Sequence, residues 1–131
     1  MTATFVVAVL IQTNMNLPIF RDMYHLNVSL LKDVENIPKM YRHTLGDRIV
    51  TTAMNAYQQL QKAYDAQAGL RKLYAMEGFA TELNTLSAFL RMANELRAIP
   101  LKRATDLFVR IDAIKKQLSG WRKATKEKTK A

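Results

Sequence analysis

The sequence predicts an all-α protein built as an antiparallel up-down-up-down four-helix bundle, and three observations carry that reading. Apolar residues recur at three- and four-residue steps along four stretches of the chain, the spacing of one helix face. Short breaks at Pro38, Gly69 and Pro100 separate the stretches, so neighbouring helices run antiparallel and the first and fourth lie side by side to close the bundle. Composition agrees, because 49% hydrophobic residues with only four Gly and three Pro leave little room for turns. A chain of 131 residues makes one domain that buries about two-thirds of the surface its unfolded form exposes.

The first helix is expected from Asn16, a capping residue type, with Pro18 tolerated in its first turn. Its core face is Phe20, Met23, Leu26, Leu30, Val34 and Ile37, and Pro38 ends it. The second follows through Tyr41, Leu45, Ile49, Thr52, Ala56, Leu60 and Ala63 to about residue 66, before the break at Gly69. The third uses Met76, Phe79, Leu83, Leu86, Leu90 and Ala93, and Pro100 stops it. The fourth has the most regular spacing: Ala104, Leu107, Ile111, Ile114, Leu118 and Trp121 alternate steps of three and four. Each helix of about 20 residues is roughly 30 Å long.

These boundaries divide the chain into an apolar N-terminal arm, 1–15, the bundle, 16–121, and a basic flexible tail, 122–131, which lacks an apolar face and is expected to fray. Phe5 to Ile11 is an uncharged, Val-rich run with no basic residues before it, a poor signal peptide and far shorter than the ~20 residues of a membrane span. Its β-branched content favours a short strand or an unstructured arm outside the core, and Met15 is a plausible alternative start. With no cysteine, the chain has no disulfide framework and no thiolate site, which fits a reducing cytoplasm.

A search for catalytic chemistry returns almost nothing. His25 and His43 are the only histidines, and neither has a legible catalytic partner. Asp22 and His25 share a helix face at i, i+3, the spacing of a di-metal bundle's Glu-x-x-His pair, but Glu77, Glu82 and Glu95 come with no second His. Glycine-rich phosphate loops, nucleophile elbows and zinc-protease motifs are absent. The expectation is a non-enzyme without metal or cofactor.

Charge is more informative. Twenty Lys and Arg against eleven Asp and Glu give a formal +9, spread through the helical stretches, and point to a nucleic-acid partner. On the fourth helix Arg103 and Arg110 stand seven apart on one flank, while Lys115, Lys116, Arg122 and Lys123 gather on the other side toward the C-terminus. A helix dipole favours cations only in the last turn and does not account for Arg103 or Arg110. Asp106 and Asp112 stand four before Arg110 and Lys116, so each can form an i, i+4 pair. Arg122 to Lys130, including Lys126, adds five cations against Glu127, enough to hold a phosphate backbone without reading bases.

Two further groups look like contact surfaces. Phe89, Leu96, Phe108 and Val109 widen the apolar stripes of the third and fourth helices, either as extra core or as a strip that closes on another subunit or a partner. The second helix opens with the cluster 39–48, in which Gly46 costs about 1 kcal/mol relative to Ala and calls for a packing or functional reason. Arg42 and Arg48 are six apart, about 240° around the helix, and therefore serve different contacts. One belongs within the bundle or subunit interface and one to a partner, and Asp47 is placed to pair with an Arg of a neighbouring subunit.

The segments IPKMYRHTLGDRI and LSAFLRMANELRAIP, with the run from Ile111 through Gly120 and Trp121, resemble the accessory variability determinant family of diversity-generating retroelements. The likeness covers about residues 17–123. Related bundles encoded in ribosomal intervening sequences carry an Asn-Ile-Ala-Glu-Gly element in the second helix, which the segment from Thr52 to Tyr57 here lacks. The resemblance implies a basic homopentamer assembled as a ring, which binds RNA and DNA and associates with the element's reverse transcriptase. It implies no chemistry of its own, only support for template-RNA-primed, mutagenic cDNA synthesis. A general RNA-binding bundle of the ribosomal intervening-sequence type, without a polymerase partner, is the alternative. A helical adaptor charged only for solubility is a third reading.

Overall fold

The computed structural model describes residues 17–130. The arm 1–15 and the proposed cap Asn16 lie outside the described residues. Those described form four helices and no strand. The first is α1, Pro18–Val34. The second opens with one turn, Lys39–Tyr41, passes through a π-helical turn, Arg42–Gly46, and continues as α2, Asp47–Asp65. The third and fourth are α3, Leu70–Glu95, and α4, Leu101–Lys130.

Helix α1 packs against α2 and α4, α2 against α3, and α3 against α4, so the first and fourth helices meet as the sequence predicts. The ends of α1 are matched to α4 by polar contacts. Asp33, near its C-terminus, accepts from Arg103 at the start of α4, and Asp22, near its N-terminus, accepts from Gln117 further along α4.

The core is built on the positions that the periodicity picks out, joined by Ile19, Ala53, Ala75, Ala98 and Ile99, which it does not. Phe20, Met23, Leu26, Leu30, Ile37, Ile49, Ala56, Leu60, Ala63, Met76, Phe79, Leu83, Leu86, Leu90, Ala93, Ala104, Leu107, Ile111, Ile114 and Leu118 are all buried. Val34, Tyr41, Leu45 and Trp121 are partly buried against them. Burial of a large apolar side chain is worth about 1.5–3 kcal/mol, so these positions rather than helix propensity hold the fold. Three polar residues are buried among those described, Asn27, Thr52 and Thr125; Asn27 donates to the Ala53 carbonyl of α2 at 3.2 Å, while its Oδ1 has no partner among the described residues.

Helix ends differ from expectation in three places. α1 stops at Val34, short of Ile37, because Asn36 and Ile37 donate to Asp33 and Val34 in a tighter turn that tucks Ile37 into the core. α3 stops at Glu95, well before Pro100. Ala98 N–H reaches the Ala93 carbonyl and Arg97 N–H the Asn94 carbonyl, with Arg97 at φ 60°. That is a Schellman motif with arginine where glycine is usual.

The third difference is the expected loose tail beyond residue 121, which is helical through Lys130. Thr125 continues the seam after Leu118 and Trp121 and is buried, its hydroxyl donating to the Trp121 carbonyl at 2.9 Å. A threonine can take a core-facing place when its hydroxyl is satisfied on the preceding turn, and an apolar-only reading of the seam misses it. No helix among the described residues is long and apolar enough to cross a membrane.

Candidate nucleic-acid interface

The basic residues of α4 divide into two flanks, as the spacing predicts, and the flanks differ in what holds them. Arg103 faces α1 and makes a two-pronged bond to Asp33, Nε to Oδ1 and NH2 to Oδ2, both at 3.0 Å. The Asp33 side chain is 11% exposed and that of Arg103 43%, so the pair clasps α1 to α4 at the bundle surface. Arg110 is held by Asp106 at 3.1 Å, the i, i+4 pair read from the sequence. The analogous contact of Asp112 with Lys116 does not form among the described ion pairs.

On the opposite flank Arg122 donates to Glu77 of α3 at 2.7 Å. Arg122 also lines a shallow groove of about 400 Å³ with Ser119, Lys123, Lys126, Glu127 and Lys130. Among the described residues Lys115, Lys116, Lys123 and Lys126 make no ion pair with a carboxylate. The seven candidate cations thus comprise three arginines anchored to carboxylates and four lysines whose ammonium groups remain available. One face does not contain them all, because Arg103 turns toward α1 and Arg122 toward α3, while Arg110 is held along α4 itself.

The second-helix cluster forms a separate surface. The π turn places Gly46 in the core side of the helix and leaves Arg42, His43, Asp47 and Arg48 exposed. Arg42 folds back, NH2 donating to the Ile37 carbonyl at 3.3 Å, so it ties the helix to the preceding turn. Arg48 instead lines an open groove of about 490 Å³, together with Tyr41, His43, Leu45, Asp47, Met92 of α3 and Leu96 just past its end. His43 Nδ1 lies 3.9 Å from Asp47 on its rim.

The structure therefore brings Asp47, Arg48 and Leu96 together and sends Arg42 elsewhere. Phe89 and Phe108 are partly buried against the core. Leu96 and Val109 are 48% and 64% exposed. Met92, 49% exposed, was not among the sequence candidates. Its signal was its place one turn before Leu96, outside the buried seam of α3.

A family model described as bAvd-like matches residues 18–125, which take in the second-helix groove and α4 as far as Thr125, while Lys126 and Lys130 of the lysine groove lie beyond it. The chain belongs to the bAvd-like family. This is the accessory variability determinant family that the second-helix and third-helix segments resemble. The bAvd-like match begins at the first residue of α1 and ends within α4, at the buried Thr125. No curated protein matches the chain.

Among the described residues no group of three or more His, Asp or Glu is placed to hold a metal ion. Asp22, the carboxylate of the suspected i, i+3 pair, instead accepts from the amide of Gln117 at 2.7 Å.

Proposed function

We propose that this bAvd-like chain is the non-catalytic accessory protein of a diversity-generating retroelement. It binds template RNA and cDNA and, as a homo-oligomer, carries them to the element's reverse transcriptase during mutagenic cDNA synthesis. The family match supports the retroelement setting. The observation that carries nucleic-acid binding is the set of lysines on α4 without carboxylate partners among the described residues, Lys115, Lys116, Lys123 and Lys126. A free ammonium releases a condensed counterion when it meets a phosphate, whereas a cation already held by a carboxylate gains less. Arg103 and Arg122 tie the helix that presents those lysines to α1 and α3, with Arg122 at the edge of the groove that Lys123 and Lys126 line.

The matched ends of α1 and α4, and the contact of Arg122 near the end of α4 with Glu77 near the start of α3, support the up-down-up-down order. In the same reading the ring is a pentamer, and the groove that combines half-exposed Met92 and Leu96 with the charged Arg48 and Asp47 is the contact surface. Work on RNA is cytoplasmic in this reading.

RNA binding is tested by titrating salt. The logarithm of the binding constant should fall linearly with the logarithm of salt, and Lys123→Glu with Lys126→Glu should lower both affinity and slope. Salt-independent binding, or unchanged binding in the double variant, refutes the lysine assignment. Co-purification with the reverse transcriptase encoded beside it separates the retroelement protein from a general RNA-binding bundle.

A further inference from the structure

At the bundle end formed by the start of α1, the ends of α2 and α4 and the start of α3 there is a second opening, unlike the lysine groove in chemistry. It is a largely apolar cleft of about 390 Å³ whose lining includes Phe20, Tyr64, Lys72, Gln117 and Trp121. The Tyr64 ring stands edge-on to Phe20 at 5.4 Å between centroids and is 43% exposed, so part of its surface is open. Lys72 enters the same cleft with its ammonium 5.4 Å from the centre of the Trp121 ring. Nζ donates to the carbonyls of Tyr64 and Ala66 at 3.2 and 3.0 Å.

A half-exposed Tyr64 ring beside a cation that rests over the Trp121 ring restricts what fits. A wholly apolar occupant would strip water from the Lys72 ammonium and give it no countercharge, which is costly. Burial already pushes the Lys72 pKa below its ordinary value, Asp65 pulls it back up and Lys128 lowers it further. An occupant with a flat π face and an adjoining anion satisfies both parts of the cleft. A nucleotide has that combination, and stacking on aromatic rings tolerates any base because every base has a π face.

We propose that this cleft takes an unpaired base of a single-stranded nucleic acid, seated against Tyr64 and Trp121 with its phosphate toward Lys72. The inference rests on the nucleic-acid reading above and adds to it a preference for single strands over duplex. The lysine groove holds backbone of either kind, while the cleft holds only a base free to leave its stack.

Trp121 is the one tryptophan in the chain, so its fluorescence reports on the cleft alone. The full chain is titrated with a single-stranded oligoadenylate, an abasic oligomer of the same length and a duplex, with binding followed by anisotropy and Trp121 emission recorded in parallel. The single strand is expected to quench Trp121 in step with binding, the other two to bind without quenching, and the abasic oligomer to bind about tenfold more weakly. Tyr64→Leu keeps the apolar bulk and removes the ring, so it should cost the single strand about tenfold and leave duplex affinity unchanged.

Quenching by the duplex equal to that by the single strand, or single-strand binding with no change in Trp121, overturns the cleft proposal while leaving nucleic-acid binding intact. If no oligomer binds, the nucleic-acid reading itself fails. Should Trp121 be shielded from acrylamide in the free chain and insensitive to oligomers, an apolar protein segment occupies the cleft and the base proposal is wrong.

Discussion

Gly46 has ordinary helical angles, φ −58° and ψ −47°. A methyl group added there would meet Val34 Cγ1 at 3.5 Å, the Tyr41 carbonyl at 3.7 Å and Ile37 Cδ1 at 3.9 Å, all normal contact distances. Packing inside the subunit therefore does not require glycine. Gly46→Ala should raise stability by about 0.5–1 kcal/mol through helix propensity, read as a higher urea midpoint with unchanged slope. A loss of stability would mean that the π turn needs glycine for a reason outside its contacts.

Arg97 is the converse. It holds φ 60°, a conformation that costs an L-residue with a β-carbon roughly 1–2 kcal/mol. Replacement with Gly should stabilise the chain by up to about 1 kcal/mol after the greater freedom of glycine in the unfolded state is subtracted. Thermal unfolding of Arg97→Gly decides it, and a lower midpoint would show that the arginine side chain outweighs its backbone strain.

Between helices, the Asp33 and Arg103 clasp is the contact most open to dissection. Its two parallel bonds and the low exposure of Asp33 place it at the upper end of surface ion pairs, which are worth about 0–1 kcal/mol. A double-mutant cycle with Asp33→Ala and Arg103→Ala is expected to give a coupling of about 1 kcal/mol. A coupling indistinguishable from zero would return Arg103 to the pool of free cations.

Helix α4 also shows what was legible. Its seam from Ala104 to Leu118 was readable because apolar residues mark a buried face directly. Thr125 was not, because a hydroxyl that is satisfied within its own helix looks polar in sequence and behaves as core in the fold. The partners of Arg103 and Arg122 were equally hidden, since Asp33 and Glu77 lie 70 and 45 residues away in the chain and periodicity carries no information about which helices face each other. The Lys72 and Trp121 cleft was invisible for the same reason: its lining comes from all four helices.

For the molecule as a whole, the open apolar groups matter more than the charge. Met92 and Leu96 are each about half exposed and border the groove that carries Arg48. If the groove is where subunits meet, light scattering on a gel-filtration column should give a mass several times 15.0 kDa, and Leu96→Glu should reduce it toward the monomer. A monomeric parent chain at micromolar concentration ends the ring proposal. An unchanged mass in the variant moves the interface elsewhere.

The length of α4 has a consequence for how its charges act. Thirty residues in one helix span roughly 45 Å, several times the ~8 Å over which physiological salt screens an exposed charge. Lys102 and Lys130, near its two ends, are therefore electrically independent, and so are the polyanion segments that each would meet. The helix acts as a ruler along which cations report separately. Charge changes at opposite ends should add in the logarithm of affinity, whereas Lys123 and Lys126, one turn apart, should not.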